Sequence, residues 1–399
     1  MNGVYKLKGV VQHYSWGGTE YIPQLLSVDN PEQKPFGEYW LGAHPAAPAM
    51  LEEEAIPLDQ FIANHPQETL GDAVAGKFQS LPYLFKILDV RQMLSIQVHP
   101  SKASAEDEFE KENQKGIPLM APHRNYKDKN HKPELMVALS DFWLLHGFKN
   151  EKELQAILEQ TPELHFLSDA FTDGNYKSLY EAVMTMPQEK VDEVLSPLMQ
   201  RIVPAYKKNQ LQKSSEDFWA ARAALTFCKG NHYDRGVFSV YLFNLLHLKK
   251  GEAIYQAAGL PHAYLEGQNV EVMANSDNVL RAGLTDKHVD VPELMKHVKF
   301  EATNPEIIRS GKSPEQSFEA PVEEFYLKRY EADKSVTLSP QTATILFVIA
   351  GKGSVCSDDK AIGLNKGEAA LLLPRNQISA EPSGGAFTFF TVSTPLDKN

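Results

Sequence analysis

Gln97 and His99 stand two residues apart in the run Leu94-Ser-Ile-Gln-Val-His99, which Pro100 terminates. If that run is a strand, both side chains, and Ser95 with them, point to one face. Asn130-His131-Lys132-Pro133-Glu134 concentrates a base, a cation and a carboxylate in five residues. Pro133 holds the backbone extended just before the apolar run Leu135-Met-Val-Ala-Leu139. Further on, Pro261-His262 opens a stretch that also contains Glu271, Asp277, Arg281 and Lys287, set between short apolar pieces punctuated by glycine. Each of these taken alone is ordinarily a solvated strand face, a charged loop or a surface ion pair. Together Gln97, His99, Glu134 and His262 form a nitrogen and oxygen ligand set suited to Zn2+, with room for an exchangeable position. Arg281 can present a planar fork to a phosphate, and Lys287 and Lys132 can act as point charges. Lys86, inside the apolar Leu84-Phe-Lys-Ile-Leu88, needs a buried partner or water.

The elements that must position these residues are short and β-like in residues 1–150. Val4 to Val11, Phe36 to His44, Leu84 to Leu88, Leu94 to His99 and Leu135 to Leu139 read as strands. From near Asn150 to Gly230 the texture is helical: Val191, Val194, Leu195, Leu198 and Ile202 recur at helical spacing. Ser215 caps a second run, and Pro197 should bend the longer helix. Strand-like pieces resume at Val237-Phe-Ser-Val-Tyr-Leu-Phe-Asn-Leu-Leu246. An internal echo follows: Leu248-Lys-Lys-Gly-Glu-Ala253 matches Leu364-Asn-Lys-Gly-Glu-Ala369. Even strands with such turns suggest a barrel or jelly roll. The counterpart of His262 falls near Gln377 or Ile378, so one barrel should hold a metal and the other should not.

The chain has 399 residues, long enough for two or three domains, with 42% hydrophobic and 23% charged residues. A formal net charge of −12 argues against general affinity for nucleic acid, although a few cations in a cleft still suit a small anion. Two cysteines, Cys228 and Cys356, imply no disulfide framework and a reducing, cytoplasmic setting. The N-terminus lacks an apolar run of signal-peptide length. The strongest apolar run, Ile345 to Ala350, is far short of the roughly 20 residues that span a bilayer. A cytoplasmic protein with no membrane partner is the expectation.

Tyr126-Lys-Asp-Lys-Asn-His-Lys-Pro-Glu134, and His262-Ala-Tyr-Leu-Glu-Gly through Ser276-Asp-Asn-Val-Leu-Arg-Ala-Gly-Leu-Thr285, closely resemble the two signature stretches of the type I phosphomannose isomerases. His13-Tyr-Ser-Trp-Gly-Gly18 and Leu94 to Pro100 resemble further segments of that family. The resemblance implies a mainly β chain of two cupin-type jelly-roll barrels with an inserted helical domain. Residues 1–150 and 231–320 would form the catalytic barrel, 151–230 the insertion, and 321–399 a C-terminal barrel without metal. It also implies one Zn2+ per chain on Gln97, His99, Glu134 and His262, in a monomer acting in the route to GDP-mannose. The implied reaction interconverts mannose 6-phosphate and fructose 6-phosphate through a cis-enediol. Ser95, Lys86, Lys132, Arg281 and Lys287 are then the substrate and phosphate candidates, with Arg281 also expected in the catalytic set. His131, Glu271 and Asp277 are the candidates for the base, with Lys132 and Lys86 as proton or oxygen partners. One departure is visible: the family usually reads Thr-Pro-Lys where this chain has Thr285-Asp286-Lys287, so a carboxylate stands beside that lysine.

Two other classes compete. An Fe2+ cupin oxygenase would use two histidines and a carboxylate, a pattern that Gln97 fits poorly. A non-catalytic sugar-binding bicupin would have no reason to distinguish its two barrels.

Overall fold

The computed structural model describes residues 1–311 and 313–396. Helix is nearly as abundant as strand, so the chain is mixed α and β rather than mainly β. Its strands form antiparallel sheets of ten, eight and four.

The ten-stranded sheet is built around His262–Ala274, a strand of 13 residues. It pairs with Tyr83–Val90, Glu134–Ala138 and Phe142–Phe148, and at His262 with Gln97 of the short strand Gln97–Val98. The stretch that Pro261 opens is therefore one continuous strand as far as Ala274, while Asp277 and Lys287 follow in loops and Arg281 in the short strand Leu280–Arg281. Gly267, with φ +130°, follows directly on the register shift between Tyr264 and Glu266 and lets the strand continue. Alternation then sorts the side chains. Val270 and Val272, with Phe85 and Ile87 across the ladder, enter a core shared with Ile345, Phe347, Leu371 and Phe390 of the eight-stranded sheet. Glu271 lies directly opposite Lys86 on the other face, where both are buried. Tyr83–Val90 is buried along its whole length because both of its faces are covered.

Several expectations need correction. Val4 to Val11 is two strands, Val4–Lys8 and Val10–Gln12, which join different sheets on either side of Gly9. A Cβ at Gly9 would lie 2.3 Å from the Trp40 carbonyl oxygen, so only glycine permits that crossing. The run from Val237 begins as a helix, Gly236–Leu242, and becomes a strand only at Phe243–Leu248. All seven helical residues are buried, which removes the periodicity that would have revealed the helix. The helix Lys102–Gln114 was not anticipated, although Ser101 caps it by accepting a hydrogen bond from the Ser104 amide. Only Gln97 and Val98 of the run from Leu94 to His99 have regular strand geometry.

The helices between Glu151 and Phe227 share one apolar core with Leu145, Phe148, Ala263 and Leu265 of the ten-stranded sheet. Gln188–Lys207 is its longest helix and contains both Pro197 and Pro204. The echoed turns match in detail. Gly251 and Gly367 have φ +88° and +86°. Glu252 accepts from the Lys249 amide at 2.8 Å, and Glu368 from the Asn365 amide at 2.7 Å. Ala253–Gln256 and Ala369–Leu372 are the strands that follow. Among the described residues, no helix is long and apolar enough to cross a membrane.

Candidate active site

His99, Glu134 and His262 come together in the ten-stranded sheet, buried, with one candidate ligand atom from each within 4.8 Å of the others. Glu134 starts its strand, His262 starts the long one, and His99 follows Gln97–Val98. His99 Nδ1 lies 2.9 Å from the Asn278 carbonyl oxygen, and His262 Nδ1 lies 3.0 Å from that of Leu260. A carbonyl only accepts, so both Nδ1 atoms carry hydrogen and both neutral rings present a bare Nε2 lone pair. Those lone pairs face the Glu134 carboxylate: Oε1 is 3.4 Å from His99 and Oε2 is 3.3 Å from His262. His99 Nε2 has no hydrogen-bond partner although it is buried. Acceptors facing acceptors in a dry site require a positive charge between them. The residues therefore fit a metal ion. Gln97 lies opposite His262 in the strand register and opposite Arg281 on its other side, which puts it at the same end of the sheet.

Next to this group is a second buried cluster. Lys86 Nζ is 3.4 Å from both Glu38 and Glu271, and 5.2 Å from the centre of the Trp40 ring. Burial alone would lower its pKa, but the two carboxylates outweigh that and hold the ammonium above its ordinary value. Glu271 also accepts from the Tyr264 hydroxyl at 2.8 Å. Burial and the nearby Glu134 raise the Glu271 carboxyl, while Lys86 opposes. Trp40 Nε1 donates to Glu38 at 2.5 Å. Lys132 Nζ lies 3.0 Å from Glu134 Oε1. Tyr14 and Trp16 stack at 5.6 Å, and the Tyr14 hydroxyl is pushed up to about 12 by burial and then by Glu38.

The remaining candidates separate. His131 Nε2 donates to Glu324 at 2.6 Å, which ties it to the segment leading into the C-terminal sheet. Asp277 is exposed and pairs with His44 Nε2 at 3.3 Å, which is the main reason its carboxyl lies below the usual range. Ser95 is half-buried just ahead of the short strand. Among the described residues, Arg281 and Lys287 have no side-chain hydrogen bond or ion pair. Desolvation and then the Arg281 charge lower the Lys287 ammonium, with Asp286 opposing more weakly. Arg281 is half-buried and Lys287 exposed, so two like charges without protein partners among the described residues stand near one another, an arrangement that an anion would relieve.

Loops hold these groups by a polar knot that the sequence did not advertise. The Asn278 side chain accepts from the Lys127 amide at 2.7 Å and donates to the Asp128 and Asn130 carbonyls at 2.8 and 2.9 Å. Asp128 accepts from Ser276 and from the Asp277 amide, both at 2.8 Å. Since the Asn278 carbonyl also orients His99, one residue sets the loop and the ring. Asp234 accepts from the Leu284 amide at 2.7 Å and the Thr285 amide at 3.1 Å, fixing the turn between Arg281 and Lys287. Asx residues before a glycine were the available signal for Asp234 and Asn278 had none. Glu38, Trp40, Tyr264 and His44 were also missed, because a polar residue inside a buried strand looks like any other until its partner is known.

Fold and site first define a class: an enzyme with a metal centre at one end of an antiparallel sheet, beside a buried lysine–carboxylate cluster. Residues 4–151 match the family model for the catalytic domain of phosphomannose isomerase type I. The mannose-6-phosphate isomerase of Escherichia coli is 38% identical over 383 residues, covering 92% of this chain and 94% of that one. The human protein of the same name is 34% identical over 385 residues, covering 87% and 88%. A crystal structure of mannose 6-phosphate isomerase from Salmonella typhimurium, bound to fructose 6-phosphate and zinc, superposes with a TM-score of 0.88. It has 34% identity and covers 99% of this chain and 100% of that chain. The chain belongs to the type I phosphomannose isomerase family.

Proposed function

We propose that this chain interconverts mannose 6-phosphate and fructose 6-phosphate with one Zn2+ bound by His99, Glu134, His262 and Gln97. The observation that carries this is the confrontation of two imidazole lone pairs with the Glu134 carboxylate, which a cation resolves. Zinc in such a site polarises substrate oxygens as a Lewis acid. Arg281 and Lys287 take the phosphate, whose binding holds the reacting carbons in register. Lys132 and Lys86 supply positive charge where O1 and O2 become negative, a contribution of about 3–4 kcal/mol for each well-aimed group. Of the three base candidates, Glu271 is assigned the proton moving between C2 and C1: it is buried beside the metal group and held by Lys86 and Tyr264, whereas Asp277 is exposed on His44 and His131 is turned to Glu324. Its burial favours that role. Ser95 is assigned to the phosphate end.

The reading includes a cis-enediol intermediate, a catalytic cupin-type jelly roll from residues 1–150 and 231–320, the insertion at 151–230, and a second barrel at 321–399 without metal. A cytoplasmic monomer without nucleic-acid or membrane partners completes it. The paired turns at Gly251 and Gly367 support two related barrels. The test is conversion of mannose 6-phosphate by the zinc-loaded chain in D2O. Fructose 6-phosphate carrying solvent deuterium at C1 is expected. Sugar phosphate that binds but is returned unchanged, or oxygen uptake on addition of Fe2+, would overturn the reading.

A further inference from the structure

A cavity of about 330 Å3 lies at the seam between the ten-stranded and eight-stranded sheets. One side is the helix Tyr21–Leu26, the Ala138 end of the strand that begins at Glu134, and the turn at Lys250 and Gly251. The other is the C-terminal sheet, through Arg329, Ile349 and Phe390. The volume falls within the range of small-molecule sites, roughly 300–1,000 Å3. Its walls are apolar and its charge is one-sided: Lys250, Arg329 and Lys366 against Glu331 alone.

Those cations are under-used. Among the described residues, neither Lys250 nor Lys366 has a side-chain hydrogen bond or ion pair. Arg329 keeps one terminal nitrogen 3.3 Å from Glu331 and the other 3.5 Å from the Ser310 hydroxyl, the outer limit of a hydrogen bond. Its Nε is buried with no hydrogen-bond partner. The guanidinium is thus only weakly held by the protein, and its charge lines the cavity. The cavity is separate from the metal cluster, because its lining includes none of His99, Glu134, His262, Arg281 or Lys287.

We propose that this seam is a second small-molecule site, which takes an organic anion with an apolar body and a single carboxylate or phosphate group. The anionic group meets Arg329, Lys250 and Lys366, and the body lies against Leu25, Val137, Ile349 and Phe390. Because the occupant touches both sheets, binding stabilises their contact and raises the unfolding temperature.

Calorimetric titration of the full chain with phenyl phosphate tests this, with inorganic phosphate and phenol as probes of each half. Two variants separate the sites: Arg281→Ala at the isomerase site, and the double change Lys250→Glu with Lys366→Glu at the seam. Both seam lysines are exposed, so the double variant keeps its fold and its isomerase activity. The expected result is saturable binding that survives Arg281→Ala, weakens about tenfold or more in the double variant, and exceeds that of either half-probe. Binding that disappears with Arg281→Ala and persists in the double variant would overturn the proposal, as would no saturable binding at all. Equal affinity for inorganic phosphate would remove the apolar body from it.

Discussion

At the scale of single residues, the site is a problem in charge placement. His99 and His262 are each fixed as the tautomer that exposes Nε2, and Glu134 faces both, so the three residues repel one another until a cation is shared. Lys86 is held between two carboxylates, Glu38 and Glu271, beside the metal ligands. Arg281, by contrast, is left without a protein partner among the described residues, and the phosphate is the partner proposed for it. Replacing Arg281 with Ala should raise the KM for mannose 6-phosphate by about 10- to 150-fold, the worth of one charge-assisted contact, while metal content is unchanged. Steady-state kinetics alongside metal analysis would show this, and an unaltered KM would take Arg281 out of phosphate binding. The candidate ligands were readable from the sequence only as a set and through the resemblance of their segments to a known family, since each alone is an ordinary strand-face or loop residue. Their partners were not. Glu38, Trp40 and Tyr264 acquire meaning only from pairing across strands, and pairing is a property of register, which no local spacing encodes.

At the scale of elements, one strand and two loops do most of the positioning. His262–Ala274 carries a metal candidate at its first residue and Glu271 nine residues on; strict alternation would put the two on opposite faces, and the register shift between Tyr264 and Glu266 offsets that. The loop after Arg281 depends on glycine. Gly283 has φ +117°, and a Cβ there would lie 2.6 Å from Gly236 Cα. Gly283→Ala should therefore cost roughly 1–3 kcal/mol in backbone strain alone. It should also raise KM, by displacing the turn that joins Arg281 to Lys287. A thermal melt and a KM identical to those of the parent would contradict that account. The strands of the ten-stranded sheet were legible where one covered face imposed a pattern or where an apolar run was bounded by turns. The helix Gly236–Leu242 was not, since every position is buried and nearly all are apolar, which leaves no polar face to mark a period. The helix Lys102–Gln114 escaped for the opposite reason: only Ala105 and Glu112 in it are buried, so it has almost no apolar stripe.

At the scale of the whole molecule, the two large sheets share a core, and the candidate site is tied to the C-terminal half by His131 and Glu324. Burial would raise the Glu324 carboxyl, but the His131 contact outweighs it and holds the pKa below the ordinary value. A depressed carboxyl pKa stabilises the fold above its unfolded value of about 4.3 and loses that contribution as pH falls through the folded value. Glu324→Gln should thus lower the unfolding free energy near neutral pH by about 1.5–3 kcal/mol, with the deficit shrinking below about pH 4. Denaturant titrations at both ends of that range decide it, and a deficit independent of pH would refute the assignment. The repeated turn at Lys250-Gly251-Glu252 and Lys366-Gly367-Glu368 was visible in six residues and is reproduced in backbone and hydrogen bonds. How the halves pack was not, because it rests on apolar residues that any buried strand would share. The claim on which all of this depends is that a metal ion completes the His99, Glu134 and His262 group and that turnover requires it. The most direct measurement follows metal content and mannose 6-phosphate conversion in one preparation through chelation and zinc return. The prediction is close to one zinc per chain, activity lost with the metal and restored with it, and neither recovered in His262→Ala; full turnover by the metal-free chain would contradict it.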